Sequence, residues 1–305
     1  MSEDLSVRLE PLLKEYGPLH QTVLQLLIGV KSIEERELLE FTKSAICDLL
    51  FGEKDEEEEE EEERAENDEA GSVDGNDEDH SLSPEHIAEL RNDLMGLVTS
   101  DSLYTVIDLI NRKLNDFDLH IGHVASDADD DRDDENVTYM FYNRKSTPSL
   151  RVSTSFTEKE MKAISRFIDM VFDHPRDSNG NLKYSVAKYD AENEIRSKFG
   201  YTLTESHNLL RRLMLNDWVE ITDTGYTLTP RVLAELKPYL EENYDTAFPC
   251  VGCGQIITRG LACKNEKCTV RFHHSCHELF VKSMDSKSCP NVECTGSVED
   301  MVEFS

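Results

Sequence analysis

Residues 250–294 read CVGCGQIITRGLACKNEKCTVRFHHSCHELFVKSMDSKSCPNVEC. Seven of the chain's eight cysteines fall here, spaced Cys250-x2-Cys253-x9-Cys263-x4-Cys268-x4-His273-x2-Cys276-x12-Cys289-x4-Cys294. Seven is an odd number for disulfides. Seven thiolates with one imidazole complete two tetrahedral sets of four, the ligand chemistry of structural zinc. Three histidines crowd VRFHHSCHELF (270–280). A chelating pair does best with two or more intervening residues, as between Cys250 and Cys253. His273 has that spacing to Cys276, whereas His274 leaves one residue and His277 adjoins the cysteine. His273 is therefore the expected eighth ligand, with His274 and His277 as surface bystanders. The ligand order suggests cross-bracing, with Cys250, Cys253, His273 and Cys276 on a first zinc and Cys263, Cys268, Cys289 and Cys294 on a second. Phe272 and Phe280 are expected to pack the small core. A module this short buries little apolar surface, so metal binding should supply much of its folding free energy.

Upstream, the hydrophobic pattern is helical. GPLHQTVLQLLIGV places Leu19, Val23, Leu26 and Leu27 on one face. SIEERELLEFTKSAICDLLFG follows, with Ser32 and Glu35 as an expected capping box and Cys47 as a small buried hydrophobe. Ser83-Pro84 opens another helix. LYTVIDLINRKLNDFD then runs into two strands, LHIGHV and VTYMFYNR. From 157 the pattern repeats: FTEKEMKAISRFIDMVFD carries a stripe of Met161, Ile164, Ile168 and Val171, and a shorter helix ends at Gly200. Thr202 and Glu205 cap a third helix. WVEITDTGYTLT alternates as a hairpin, and Thr229-Pro230 opens a last helix. The expected fold is mainly α with small β hairpins: tandem winged-helix domains at 1–144 and 157–244, then a zinc-binding RING-like domain at 248–296.

Charge is lopsided. Against 32 Lys and Arg stand 63 Asp and Glu, a formal net charge of −31. Two tracts carry most of the excess. Glu53–Asp79 holds seventeen acidic and two basic residues, and Asp127–Glu135 holds seven and one. The segment 53–81 offers almost no large apolar side chain and is expected to be a disordered, solvating insert. MSEDLSVRLE lacks the basic and apolar regions of a signal peptide, and no apolar run approaches the roughly 20 residues of a membrane helix. An intracellular, reducing compartment is expected, with no membrane association. A winged helix often enters a DNA groove, and Leu203–Leu215 would offer His207, Arg211 and Arg212 against Glu205. The surrounding sequence is neutral to acidic, without the basic stripe that phosphate neutralisation favours. Protein docking suits these domains better than direct DNA binding.

LHQTVLQLLI, INRKLNDFDLHI, FTEKEMKAISRFID, LNDWVEITDTGYTLTPRVLAELKPYLEENY and the zinc ligands together resemble the non-SMC element one family. This family supplies the variant RING subunit of the DNA-repair complex built on the fifth and sixth SMC proteins. The likeness spans nearly the whole chain except 53–81. It implies a nuclear, chromatin-associated protein in recombinational repair, with a MAGE-type winged-helix subunit, a kleisin subunit and the SMC heterodimer as partners, and contact with DNA mainly through the complex. It also implies a ubiquitin ligase, which would dock a charged ubiquitin-conjugating enzyme and act by proximity and orientation. No side chain would then serve as catalytic acid, base or nucleophile, and the two structural zinc ions would be the cofactors. Three positions depart from typical RING ligases. Gly252 stands where a large aliphatic residue usually precedes the second ligand, Thr295 follows the last cysteine in place of a basic residue, and the central tryptophan is missing. A PHD-type module would carry an aromatic residue at 287, where this chain has Lys287. A non-catalytic, zinc-stabilised subunit of the same complex stays open as the alternative.

Overall fold

The computed structural model describes residues 2–51, 84–125, 137–144, 156–284 and 287–304. Both acidic tracts and the expected cap Ser83 lie outside them. The chain divides into two compact units, residues 1–29 with 35–113, and residues 30–34 with 114–305.

The first unit is helical: α1 (Ser2–Lys14), α2 (Pro18–Val30), α3 (Glu35–Phe51), α4 (Pro84–Leu97) and α5 (Ser100–Leu114). Helix α2 buries Leu19, Val23 and Leu27, and α5 buries Leu103, Val106, Ile107 and Ile110. Both follow the spacing that keeps apolar side chains on one helical face. Helix α4 packs on α1 and α3. Cys47 is buried among these helices as expected, and burial pushes its thiol pKa up.

Ser32 does not cap α3. Ser32–Glu34 forms a short strand, β1, paired antiparallel with β3 (Val137–Asn143), which also pairs with β2 (Leu119–Ala125) in the sheet order β1-β3-β2. The Ser32 hydroxyl donates instead to Asp217 at 2.8 Å. Ladder hydrogen bonds satisfy this backbone better than a cap would. The sheet buries Val124, Met140 and Tyr142 against Ala234 of the later helix α9 (Pro230–Asn243). The hairpin expected to close the first domain, 1–144, therefore groups with the second compact unit.

In that unit the order is α6 (Glu158–Phe172), α7 (Lys188–Phe199), α8 (Leu203–Leu215), the hairpin β4 (Val219–Thr222) and β5 (Gly225–Leu228), then α9. This is the order of elements expected over 157–244. Thr157 with Glu160 and Thr202 with Glu205 form complete capping boxes, and Thr229 accepts from the Val232 amide. Gly225, with φ of 140°, brings its backbone so close to Val186 that a Cβ would lie 2.2 Å from the Val186 carbonyl oxygen. That approach lets Val186 and Tyr226 exchange two backbone hydrogen bonds of 2.8 Å, a short third rung on the hairpin. Where α8, β4 and α9 meet, the buried Arg231 donates to Asp217, Glu235 and the carbonyls of Asn216 and Asp217. A buried guanidinium so fully partnered fixes that corner.

The cysteine-rich end forms β6 (Gly260–Cys263), β7 (Arg271–Phe272), α10 (His274–Ser283) and β8 (Met301–Phe304), with β6 central. It is not a bead on a flexible linker. One apolar cluster runs from Phe167, Phe172, Tyr184 and Leu236 through Tyr244 and Ala247 to Ile256, Phe272 and Phe304. The Tyr184 hydroxyl donates to the Thr246 carbonyl at 2.8 Å, and the Tyr244 hydroxyl to Asp169 at 2.7 Å. Thr246 in turn donates to the Phe172 carbonyl. The connecting residues are thus tied down at several points. Among the described residues, no helix is long and apolar enough to cross a membrane.

Candidate metal centres

Each pair of candidate ligands sits on a short, defined turn. Cys250 and Cys253 flank a loop closed by the Gly254 amide on the Cys250 carbonyl and the Cys250 amide on the Gln255 carbonyl, both at 2.8 Å. Cys263 ends β6. His273 is the extended residue that caps α10, and Cys276 lies in its first turn, so both project from the same helix end. The remaining ligands come from two matching turns. Asn265 accepts the Cys268 amide on its carbonyl, and Asn291 accepts the Cys294 amide, at 2.8 and 2.9 Å.

Folding gathers these residues into two groups: Cys250, Cys253, His273 and Cys276, and Cys263, Cys268, Cys289 and Cys294. Within each group all ligand atoms lie within 4.8 Å of one another. The grouping takes pairs one and three, then pairs two and four, the interleaved order expected from the spacing. A tetrahedron with metal–sulfur bonds of about 2.3 Å has sulfur–sulfur edges of about 3.8 Å, and sulfur–nitrogen edges of about 3.5 Å. The Cys263–Cys294 and Cys268–Cys289 sulfurs are each 3.7 Å apart. His273 Nδ1 lies 3.4 Å from the Cys253 sulfur and 4.0 Å from that of Cys276. Donor set and spacing both fit a four-coordinate dication, with every position filled by protein.

Without a cation, the crowded groups share protons among themselves. Hydrogen bonds from Cys253 and Cys276 hold the Cys250 thiol far below its usual range, and the same sharing pushes Cys276 up. Burial opposes charge on His273, yet hydrogen bonds to Cys250 and Cys253 outweigh it and raise its pKa to about 10. In the second group, the Gly296 amide holds Cys294 at about 7. Burial pushes Cys263 and Cys289 up, so each group shares its protons unevenly, and a bound cation would have to displace those that remain.

The other two histidines separate. His274 is partly exposed, 3.8 Å from Glu303. His277 is half-buried and is not a bystander: its Nε2 lies 2.6 Å from the Val298 carbonyl, and its ring meets Phe272 edge-on. It ties α10 to the segment before β8. Phe280 packs on Phe272 at 5.0 Å, as expected.

Two features escaped the sequence reading. The turns CKNEKC and CPNVEC share the pattern Cys-x-Asn-x-x-Cys. Each asparagine side chain accepts the amide two residues on and crosses to the other turn: Asn265 Nδ2 reaches the Cys294 sulfur at 3.5 Å, and Asn291 Nδ2 the Cys268 sulfur at 3.8 Å. The shared asparagine was the available signal. The second feature is Gly252. A Cβ there would lie 2.8 Å from Cys276 Cβ and 3.4 Å from its sulfur. Glycine stands before the second ligand because the first group closes directly over it. Thr295 and Lys287 lie within the described residues, and Lys287 pairs with Glu299 at 2.5 Å. Two of the exposed basic side chains of α8 have acidic neighbours, while Arg211 is exposed. Arg212 pairs with Glu160 and covers the Phe156 ring, and His207 contacts Glu192 at 3.3 Å.

A helical domain packed without a break onto an interleaved, cysteine- and histidine-braced module defines a RING-like protein. A family model described as a RING-like domain matches residues 250–294, and one described as the Nse1 non-SMC component of the SMC5-6 complex matches residues 80–236. The chain belongs to the Nse1 family. A relative from Homo sapiens, a non-structural maintenance of chromosomes element 1 homolog, is 24% identical over 196 residues, covering 63% of this chain and 68% of that protein. A relative from Schizosaccharomyces pombe, non-structural maintenance of chromosomes element 1, is 24% identical over 161 residues, covering 52% and 64%. A solved chain from an Nse1-Nse3-Nse4 complex superposes with a TM-score of 0.57 at 16% identity, over 94% of this chain and 99% of that one.

Proposed function

We propose that this chain is the RING-like subunit of an SMC5-6-type complex in the nucleus, built from two winged-helix units and a module that holds two structural zinc ions. Cys250, Cys253, His273 and Cys276 would hold one ion, and Cys263, Cys268, Cys289 and Cys294 the other. The observation that carries this reading is the interleaved pair of four-ligand groups, set directly on the helical domain of an Nse1 family member. Bound zinc would supply folding free energy and a rigid cross-brace, with no open position for water. The chain's own contribution is then to present surfaces. The helical units would bind a MAGE-type subunit and a kleisin, as the Nse3 and Nse4 of the similar solved complex suggest, and through them the SMC heterodimer and DNA. The module would hold a ubiquitin-conjugating enzyme charged with ubiquitin in a reactive geometry, in the service of recombinational DNA repair.

One observation favours the non-catalytic reading of the same module. Gly252 packs against Cys276, which leaves Val251, itself 44% exposed, as the apolar side chain beside the second ligand. Reconstitution separates the two. The chain with its MAGE-type and kleisin partners should build ubiquitin chains with some member of a panel of conjugating enzymes, and Cys250→Ala with Cys253→Ala should abolish them. Assembly of the three-subunit complex with activity no higher than a no-protein control would favour the structural role.

A further inference from the structure

Arg271 is the least explained charge in the described structure. It sits in β7, two residues before His273, and is 5% exposed. Its Nη1 donates to the carbonyls of Cys268 and Val270 at 2.9 and 2.8 Å, and its Nε has no partner. Its guanidinium lies against the Phe248 and Phe304 rings, at 5.2 and 6.0 Å. Among the described residues no carboxylate pairs with it, in contrast to Arg231, which is equally buried but holds Asp217 and Glu235. A buried cation left without an anion costs several kcal/mol, so such groups are paired almost without exception.

The second ligand group is a source of negative charge beside it. Cys268, whose carbonyl Arg271 binds, belongs to it, and against the burial that disfavours the Arg271 charge stand the Tyr184 hydroxyl and then the Cys268 and Cys263 thiols. A dication held by four thiolates carries two net negative charges, whereas three thiolates and a neutral imidazole leave one. We propose that Arg271 is the counter-ion of the Cys263, Cys268, Cys289 and Cys294 centre, balancing the charge that four thiolates leave on a bound zinc. This rests on the zinc reading above. Loading that centre then also settles the seam between module and helical domain. Arg271 is wedged between Phe248, in the connection from α9, and Phe304, which contacts Tyr184 of the helical domain at 5.9 Å.

The test uses the full chain and zinc itself. Zinc content is measured first, then chelator-driven release, and cobalt substitution distinguishes the two centres by their different d–d spectra. Arg271→Met keeps the bulk and removes the charge. It should speed release from the four-cysteine centre by about tenfold or more, the usual scale for outer-shell residues, and leave the His273 centre near wild type. Arg271→Lys should restore much of the difference. A second variant guards against simple misfolding: Cys294→His keeps four ligands but removes one negative charge, so adding Arg271→Met in that background should cost less than it does alone. Equal release from both centres in Arg271→Met, or an unchanged cost in the Cys294→His background, would overturn the counter-ion role in favour of packing. A chain that binds no zinc would overturn the zinc reading itself, and this inference with it.

Discussion

The contact beneath Gly252 sets the sharpest expectation. Gly252→Ala would put a methyl carbon 2.8 Å from Cys276 Cβ, where ordinary contacts begin near 3.4 Å. About 0.6 Å must be found, and the neighbour cannot swing away, because its sulfur belongs to the first ligand group. Overpacking of this kind costs about 1–3 kcal/mol. If the strain falls on the metal centre, at about 1.4 kcal/mol per tenfold, zinc affinity there drops by roughly 5- to 140-fold. The assay is competition with a graded chelator, read by release kinetics and by the cobalt spectrum of the centre containing His273. Val251→Ala is the control, since its side chain is 44% exposed and no ligand. Wild-type affinity in Gly252→Ala would refute the reasoning and reopen this position to a larger docking residue.

Other expectations follow from the same structure. Asn265→Ala and Asn291→Ala each remove one cross-turn contact to a sulfur, so each should weaken zinc at the four-cysteine centre by about tenfold in the same competition assay. Tyr244→Phe removes the hydroxyl donated to Asp169, which keeps only the longer contact to Arg166 at 3.8 Å, and should cost about 1 kcal/mol in denaturant unfolding. Leu236→Ala, at the centre of the second unit's core, should cost about 2–5 kcal/mol by the same measure. Glu220 is held above the usual carboxylate range by burial, with Arg259 offsetting only part of it. A raised carboxyl pKa means stability that is present at low pH and lost as pH rises through the folded value. Glu220→Gln should therefore stabilise the chain at neutral pH and have little effect in acid, which thermal unfolding across pH would detect.

How much of this was legible beforehand depends on the range of the physics involved. Spacing is local chemistry, so the two groups of four that folding brings together, His273 with Cys250, Cys253 and Cys276, match the pairs read from the sequence, while their zinc is a proposal. Capping boxes at Thr202 and the turn at Gly225 are likewise local. Ser32 was misread because its capping motif, Ser-x-x-Glu, is local, while its partners on β3 and Asp217 are distant in sequence. The grouping of the first hairpin with α9 was hidden for the same reason: Met140 and Ala234 pack together but are far apart in sequence. His277 looked like a bystander until Val298, more than twenty positions on, supplied a carbonyl. Gly252 and Arg271 were unreadable in their roles, since a close approach and an unpaired charge exist only once the chain has folded.

Metal content is the most direct test of the paired cysteine and histidine groups. Native mass spectrometry of the purified full chain should show two zinc ions per polypeptide. Removing them with a chelator should unfold residues 250–304 in hydrogen exchange and leave the helices of the first unit protected. A chain that carries no zinc, with its C-terminal sheet still protected from exchange, would contradict it.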